Sequence, residues 1–122
     1  MPISYSIDQQ HGVIREEWSG DVDAAQLAAY WQRYLADPSV LAIRKTVVDL
    51  RQCRIQFTGA QLSELVQRIV IPALEGRDWK SALVVERSVQ FGVSRQYQVF
   101  ANHYSNDSIF TDHDAAIAWL IA

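Results

Sequence analysis

Thr46-Val47-Val48-Asp49-Leu50 is a short β-branched run set between polar segments. It reads as a strand buried on both faces, the pattern of a parallel strand covered by helices. A parallel neighbour needs a helical crossover, and helical patterns stand on both sides of this run. Upstream, Asp23 and Gln26 have capping-box spacing, and Leu27, Tyr30, Trp31, Tyr34 and Leu35 follow at i, i+3, i+4, i+7 and i+8. Asp37-Pro38 is expected to stop that helix. Downstream, Thr58 and Gln61 repeat the capping box ahead of a stripe of Leu62, Leu65, Val66, Ile69 and Ala73, whose end Pro72 should kink or shorten.

Working outward, Ala82-Leu83-Val84-Val85 is a second buried strand. Val93, Tyr97, Phe100, Ala101 and Tyr104 then mark a third helix from about Ser88 to Tyr104. Ser108-Ile109-Phe110 is a last short strand. Thr111 with Asp114 forms a capping-type pair opening a terminal helix through Ala116, Trp119 and Leu120. At the start, Ile3, Tyr5 and Ile7 alternate with polar residues, and Gln9-Gln10-His11-Gly12 turns the chain into Val13 to Trp18, with Ser19-Gly20-Asp21 as the expected end. The order is ββαβαβαβα. The predicted fold is α/β, a mostly parallel five-stranded sheet with four helices and an antiparallel first strand, because strands alternating with helices imply right-handed crossovers. Ligands of such sheets sit beyond the carboxyl ends of the strands, here after Leu50, Val85 and Phe110.

At 122 residues, with 49% hydrophobic and 20% charged residues, residues 1–122 are expected to form a single domain around one core. A net charge of -3 argues against nucleic acid, whose binding rests on clustered Lys and Arg. Arg44, Lys45, Arg51 and Arg54, with only Asp49 against them, are either a solvated rim or a place for an anionic ligand or partner. Cys53 is the sole cysteine, which excludes an intrachain disulfide or a Cys-based zinc site. Neither a secretory leader nor a long apolar span is visible, so cytoplasm is the expected location.

His11, His103 and His113 stand in no metal-ligand spacing, and no metal or other cofactor is expected. Cys53 has Arg51 and Arg54 beside it, which would lower its pKa if it were exposed, but a partly buried loop thiol is the expectation. Neither a nucleophile-elbow motif nor a phosphate-cradling glycine loop is present. Glu16 and Glu17 point to opposite faces of a strand, which disfavours joint acid/base work. No catalytic residues are assigned, and a binding or regulatory module is expected rather than an enzyme. Tyr30, Trp31, Tyr34, Tyr97, Tyr104 and Trp119 fall on the apolar stripes and belong to core packing.

Trp18-Ser19-Gly20, the strand ending in Asp49-Leu50, Phe91-Gly92-Val93-Ser94-Arg95-Gln96-Tyr97, and Phe110-Thr111-Asp112 leading to Trp119-Leu120 together resemble the SpoIIAA-like branch of the STAS family, the fold of the anti-sigma-factor antagonists. The resemblance runs over nearly the whole chain. It implies a protein partner, or a homodimer, docked through the second helix and the loop before it, with Asp49, Arg51 and Phe57 nearby. It also implies a phosphoacceptor near Thr58, although the usual paired serines are missing and Thr58 also fits a plain helix cap. The same branch implies an alternative, an apolar pocket for a small or lipid-like molecule near Phe91, Arg95 and Tyr97. There Arg95 would meet an anionic group, or else pair with Asp49. Membrane-surface association is not expected, since Arg68 is the only basic residue well inside the second helix.

Overall fold

Gly12 adopts φ 67°, a left-handed conformation that glycine enters without steric cost, and there the chain doubles back from β1 (Ile3–Asp8) into β2 (Val13–Asp23). The two strands pair antiparallel, with Ile3 opposite Trp18 and Asp8 opposite Val13. The computed structural model describes residues 2–122. After β2 come α1 (Ala24–Tyr34), α2 (Pro38–Ile43), β3 (Lys45–Gln56), α3 (Gly59–Leu65), a π-helical turn (Val66–Val70), α4 (Ile71–Leu74), β4 (Lys80–Val84), α5 (Ser88–Phe100), β5 (Asn106–Phe110) and α6 (His113–Ile121). The sheet order is β1-β2-β3-β4-β5, and every pair after the first is parallel. The expected class and the antiparallel first strand are both present.

Side-chain alternation divides the core into two layers. Ile14, Trp18, Val48, Leu50 and Leu83 face α1, α5 and the run from α3 to α4. Val13, Val47, Ala82 and Val84 face the other way, against Ala116, Ile117 and Leu120 of α6. Burying each large aliphatic side chain stabilises the fold by roughly 1.5–3 kcal/mol, so the wide layer under α1, α3 and α5 dominates. Toward β1 the second face is polar: Arg15 and His11 both bond the Asp8 carboxylate, at 2.9 and 2.8 Å.

Four boundaries differ from the sequence expectation. Asp37-Pro38 opens a helix as well as closing one, because the Asp37 carboxylate accepts from the Ser39 N–H at 2.9 Å and Pro38 occupies a first-turn position that lacks a partner for an N–H anyway. Ser19-Gly20-Asp21 does not end β2. A register shift between Glu17 and Ser19 and a left-handed Gly20 (φ 66°) bend the strand, which then continues beside β3 with Asp23 opposite Gln56. Arg51, Cys53 and Arg54 are therefore strand residues, not loop residues. In the terminal helix the cap is Asp112, accepting from the Ala115 N–H at 3.2 Å, and not Thr111. The distortion expected from Pro72 is present: the π turn precedes it, because its ring cannot donate to the carbonyl four residues back and displaces it, so the helix widens before α4.

Candidate functional site

Between the sheet and the helices α1, α3, α4 and α5 lies an interior cavity of about 60 Å3. Its walls include Trp31, Leu62, Leu74, Trp79 and Val93, and a few polar side chains reach it. Most of these are satisfied within the protein. The Tyr34 hydroxyl and Thr46 Oγ1 are 2.6 Å apart, and the Trp79 indole donates to Ser81 Oγ at 3.2 Å. The Glu16 carboxylate accepts from the Trp18 indole at 2.7 Å and from the Tyr30 hydroxyl at 2.9 Å.

Two of the polar groups stand out. Glu16 is 4% exposed, and burial pushes its carboxyl from 4.5 up to about 7, against the pull of the Trp18 and Tyr30 hydrogen bonds. Ser94 is 1% exposed and its Oγ has no hydrogen-bond partner. Helical serines commonly back-bond to the preceding turn, and a buried hydroxyl without a partner costs about 1–3 kcal/mol. Tyr97, three residues on and on the same helical face, closes the cavity beside it. Burial, with Asp107 and Glu16 adding to it, holds the Tyr97 phenol well above its ordinary range.

The residues singled out from the sequence are dispersed. Tyr97 and Phe57 line the cavity. Phe91, 47% exposed, and Arg95 lie on the outer side of α5, because positions i and i+4 share a face that Tyr97, six residues beyond Phe91, does not. Arg95 does not pair with Asp49. Residues i and i+2 of a strand lie on one face, so Arg51 reaches Asp49 first, with Nη2 to Oδ2 at 2.9 Å and Nε to Oδ1 at 3.0 Å. Cys53 is 2% exposed, and burial raises its thiol to about 11, which removes the reactive thiolate considered from its arginine neighbours. Arg54 pairs with Asp21 at 2.6 Å. Among the described residues, no three His, Cys, Asp or Glu side chains gather as a metal site would require.

Thr58 is exposed, accepts from the Gln61 N–H at 3.1 Å and has its own N–H bonded to the Gln61 side chain at 2.9 Å. Thr58→Ala should lower stability by about 1 kcal/mol in urea unfolding, and Thr58→Asp should retain most of it, since an aspartate caps equally well.

Glu16 carries no motif, and Ser94, although it lies in the Phe91–Tyr97 segment of the resemblance, no ligand-binding one. The available signal was phase: Ser94 lies in step with Tyr97 and Ala101 on the inner face of its helix, and Glu16 alternates with Ile14 and Trp18 on the inner face of β2.

A five-stranded sheet with an antiparallel first strand, βα crossovers and this strand order is a SpoIIAA-like fold. A similar solved structure is that of an uncharacterized protein from the DUF3478 family with a SpoIIAA-like fold from Shewanella loihica PV-4. Its TM-score is 0.61 at 14% sequence identity, over 97% of this chain and 91% of that one. No known family profile and no curated protein matches the sequence. No described helix is long and apolar enough to cross a membrane.

Proposed function

We propose that this chain is a non-enzymatic ligand-binding domain that receives a small, mostly apolar molecule, hydrogen-bonding head first, in the cavity beneath α5. The observation that carries the proposal is the Ser94 hydroxyl, buried without a partner against apolar walls. Native folds rarely leave such a group unsatisfied, and a ligand carbonyl, hydroxyl or carboxyl would supply the missing bond. Glu16, held near 7, stands across the same space as a second polar wall.

A volume of about 60 Å3 has room for a head group of a few atoms. A longer tail has to leave under α5, whose outer side carries exposed Val89, Phe91 and Val99. Docking of a protein partner on α3 gains no comparable support. The exposed side of that helix and of the π turn after it is polar, with Glu64 and Arg68 paired at 2.7 Å.

Ser94→Ala separates the roles. It removes an unsatisfied hydroxyl and installs a better helix former, so apo stability should rise by about 1 kcal/mol. Thermal shifts on adding short and medium-chain alcohols, amides and carboxylic acids, expected for the wild type, should shrink in the variant. A wild type that shows no shift with any of these compounds, together with a destabilised Ser94→Ala, would overturn the proposal.

A further inference from the structure

At the other end of the sheet, where the parallel strands begin, the molecule has a second and much larger concavity, a groove of about 1080 Å3. Arg44, Lys45, Arg77, Lys80 and Arg95 all line it, five of the eleven Lys and Arg residues of a chain whose net charge is -3. Distant sequence segments supply them. Arg44 and Lys45 come from the entry to β3, Arg77 and Lys80 from the entry to β4, and Arg95 from the outer side of α5. The expected Arg44-to-Arg54 cluster thus splits: Arg51 and Arg54 are taken up by Asp49 and Asp21, and the first two residues join this groove instead.

Among the described residues, none of the five cations lining the groove forms an ion pair, although Arg15, Arg51, Arg54 and Arg68 do so elsewhere on the surface. Lys80 turns its ammonium to α6, donating to the Trp119 carbonyl at 2.7 Å and lying 4.3 Å over its ring, so Arg44, Lys45, Arg77 and Arg95 carry the charge of the groove; Arg77 Nε donates to the Ala73 carbonyl at 3.1 Å. Of the acids in the groove, Asp78 is exposed, while Asp107 is mostly buried and bonded by the Ser105 hydroxyl at 2.6 Å. Like charges gathered in a concavity raise the local potential and favour a multivalent counter-ion.

Arg44 adds a second, independent sign. It is the only non-glycine residue with positive φ among the described residues, at φ 59° and ψ 21°, just past the end of α2. Glycine or asparagine is the usual occupant of that position, and the left-handed conformation costs another residue roughly 1 kcal/mol. Arg44 thus lines the groove on a backbone better suited to glycine.

We infer that this groove is a binding site for a molecule carrying clustered phosphate groups. Guanidinium forks match phosphate oxygens two at a time, and the volume reaches the upper range of small-ligand sites. The site is distinct from the interior cavity, and Trp79 lines both.

Titration calorimetry with sodium tripolyphosphate tests this on the intact chain. Arg44→Gly is the sharpest variant, because it removes one cation while relieving the backbone. Its thermal stability should hold or rise, and its tripolyphosphate affinity should fall about tenfold, the loss of one charge-assisted contact. Arg95→Gln should act likewise, whereas Arg54→Gln, outside the groove, should leave affinity unchanged. Sedimentation with phosphatidylcholine vesicles, plain or carrying a polyphosphoinositide, reveals the source. Pelleting only with the phosphoinositide assigns the phosphates to a lipid head group, and absence of pelleting beside tripolyphosphate binding assigns them to a free solute. No heat with tripolyphosphate overturns the inference, and so does equal weakening by Arg54→Gln, which would reduce it to non-specific charge attraction. Neither result bears on alcohol binding in the interior cavity, so the two sites stand or fall separately.

Discussion

Gln90→Ala should destabilise the protein by roughly 3 to 5 kcal/mol, the largest single-residue effect expected outside the apolar core. Gln90 is 1% exposed, and its amide joins the loop after β4 to β3. Its carbonyl accepts from the N–H groups of Glu86 at 2.9 Å and Arg87 at 3.1 Å, and its NH2 donates to the Cys53 carbonyl of β3 at 3.1 Å. One side chain thus satisfies the loop after β4, pins the start of α5 and holds the extended part of β3. Truncation removes all of these bonds in a place that water reaches poorly, and leaves a void as well. Glutamate is no rescue, because it replaces the donor toward Cys53 with a charge in a buried position. Urea unfolding gives the free energy, and hydrogen exchange locates it: amides 86–90 should lose protection ahead of those in β3 and β4. A loss under 1 kcal/mol would show that the α5 start is held by its apolar face alone. Because α5 carries Ser94 and Tyr97 over the cavity, the same variant should also weaken ligand-induced thermal shifts.

The parts of this molecule legible in the sequence were those governed by local periodicity. Thr46 to Leu50 reads as a doubly buried strand because its neighbours on both faces demand β-branched and apolar side chains, and the structure puts α6 on one face and α3 and α5 on the other. The capping boxes at Asp23 and Thr58 were readable because the bonded atoms lie within three residues. What escaped was set by distant partners. Nothing near Asp37-Pro38 says that a stop can also be a start. The extension of β2 and β3 depends on their pairing with each other past a bulge, which neither strand encodes alone.

The site was less legible for the same reason. Ser94 is an ordinary serine until burial removes its partners, and Glu16 an ordinary acid until Trp18 and Tyr30 close over it. Arg95 reads as a cation near a helix start, but its company of Arg44, Lys45 and Arg77 is assembled only by the parallel order of β3 and β4, which brings the two strand entries side by side.

Glu16→Gln should flatten the dependence of stability on pH. The folded carboxyl titrates at about 7 and its ordinary value is 4.5, so the folded state favours the protonated form. Below about pH 4.5 folded and unfolded chains are both protonated, and this contribution is fully present. As the pH rises the unfolded chain ionises first, stability is lost through about 7, and above that the deficit is constant. The separation corresponds to roughly 3 kcal/mol. Asp107, which burial raises to about 6, acts in the same direction over a lower window, and Asp8, held low by His11 and Arg15, acts in the opposite one. Both are present in wild type and variant and cancel in the difference. Glutamine keeps the packing: its carbonyl can accept from the Trp18 indole, and its NH2 can face the Tyr30 oxygen, which turns from donor to acceptor. The variant should therefore gain roughly 3 kcal/mol on the wild type between about pH 4 and pH 8 in parallel urea titrations, against two curves that stay a constant distance apart if Glu16 ionises normally. The cavity inherits the effect. A carboxylate-headed ligand would meet an ionised Glu16 at alkaline pH, so wild-type affinity for such a molecule should fall above pH 7 and that of Glu16→Gln should not, while an alcohol of equal length should bind both proteins with little change across the range.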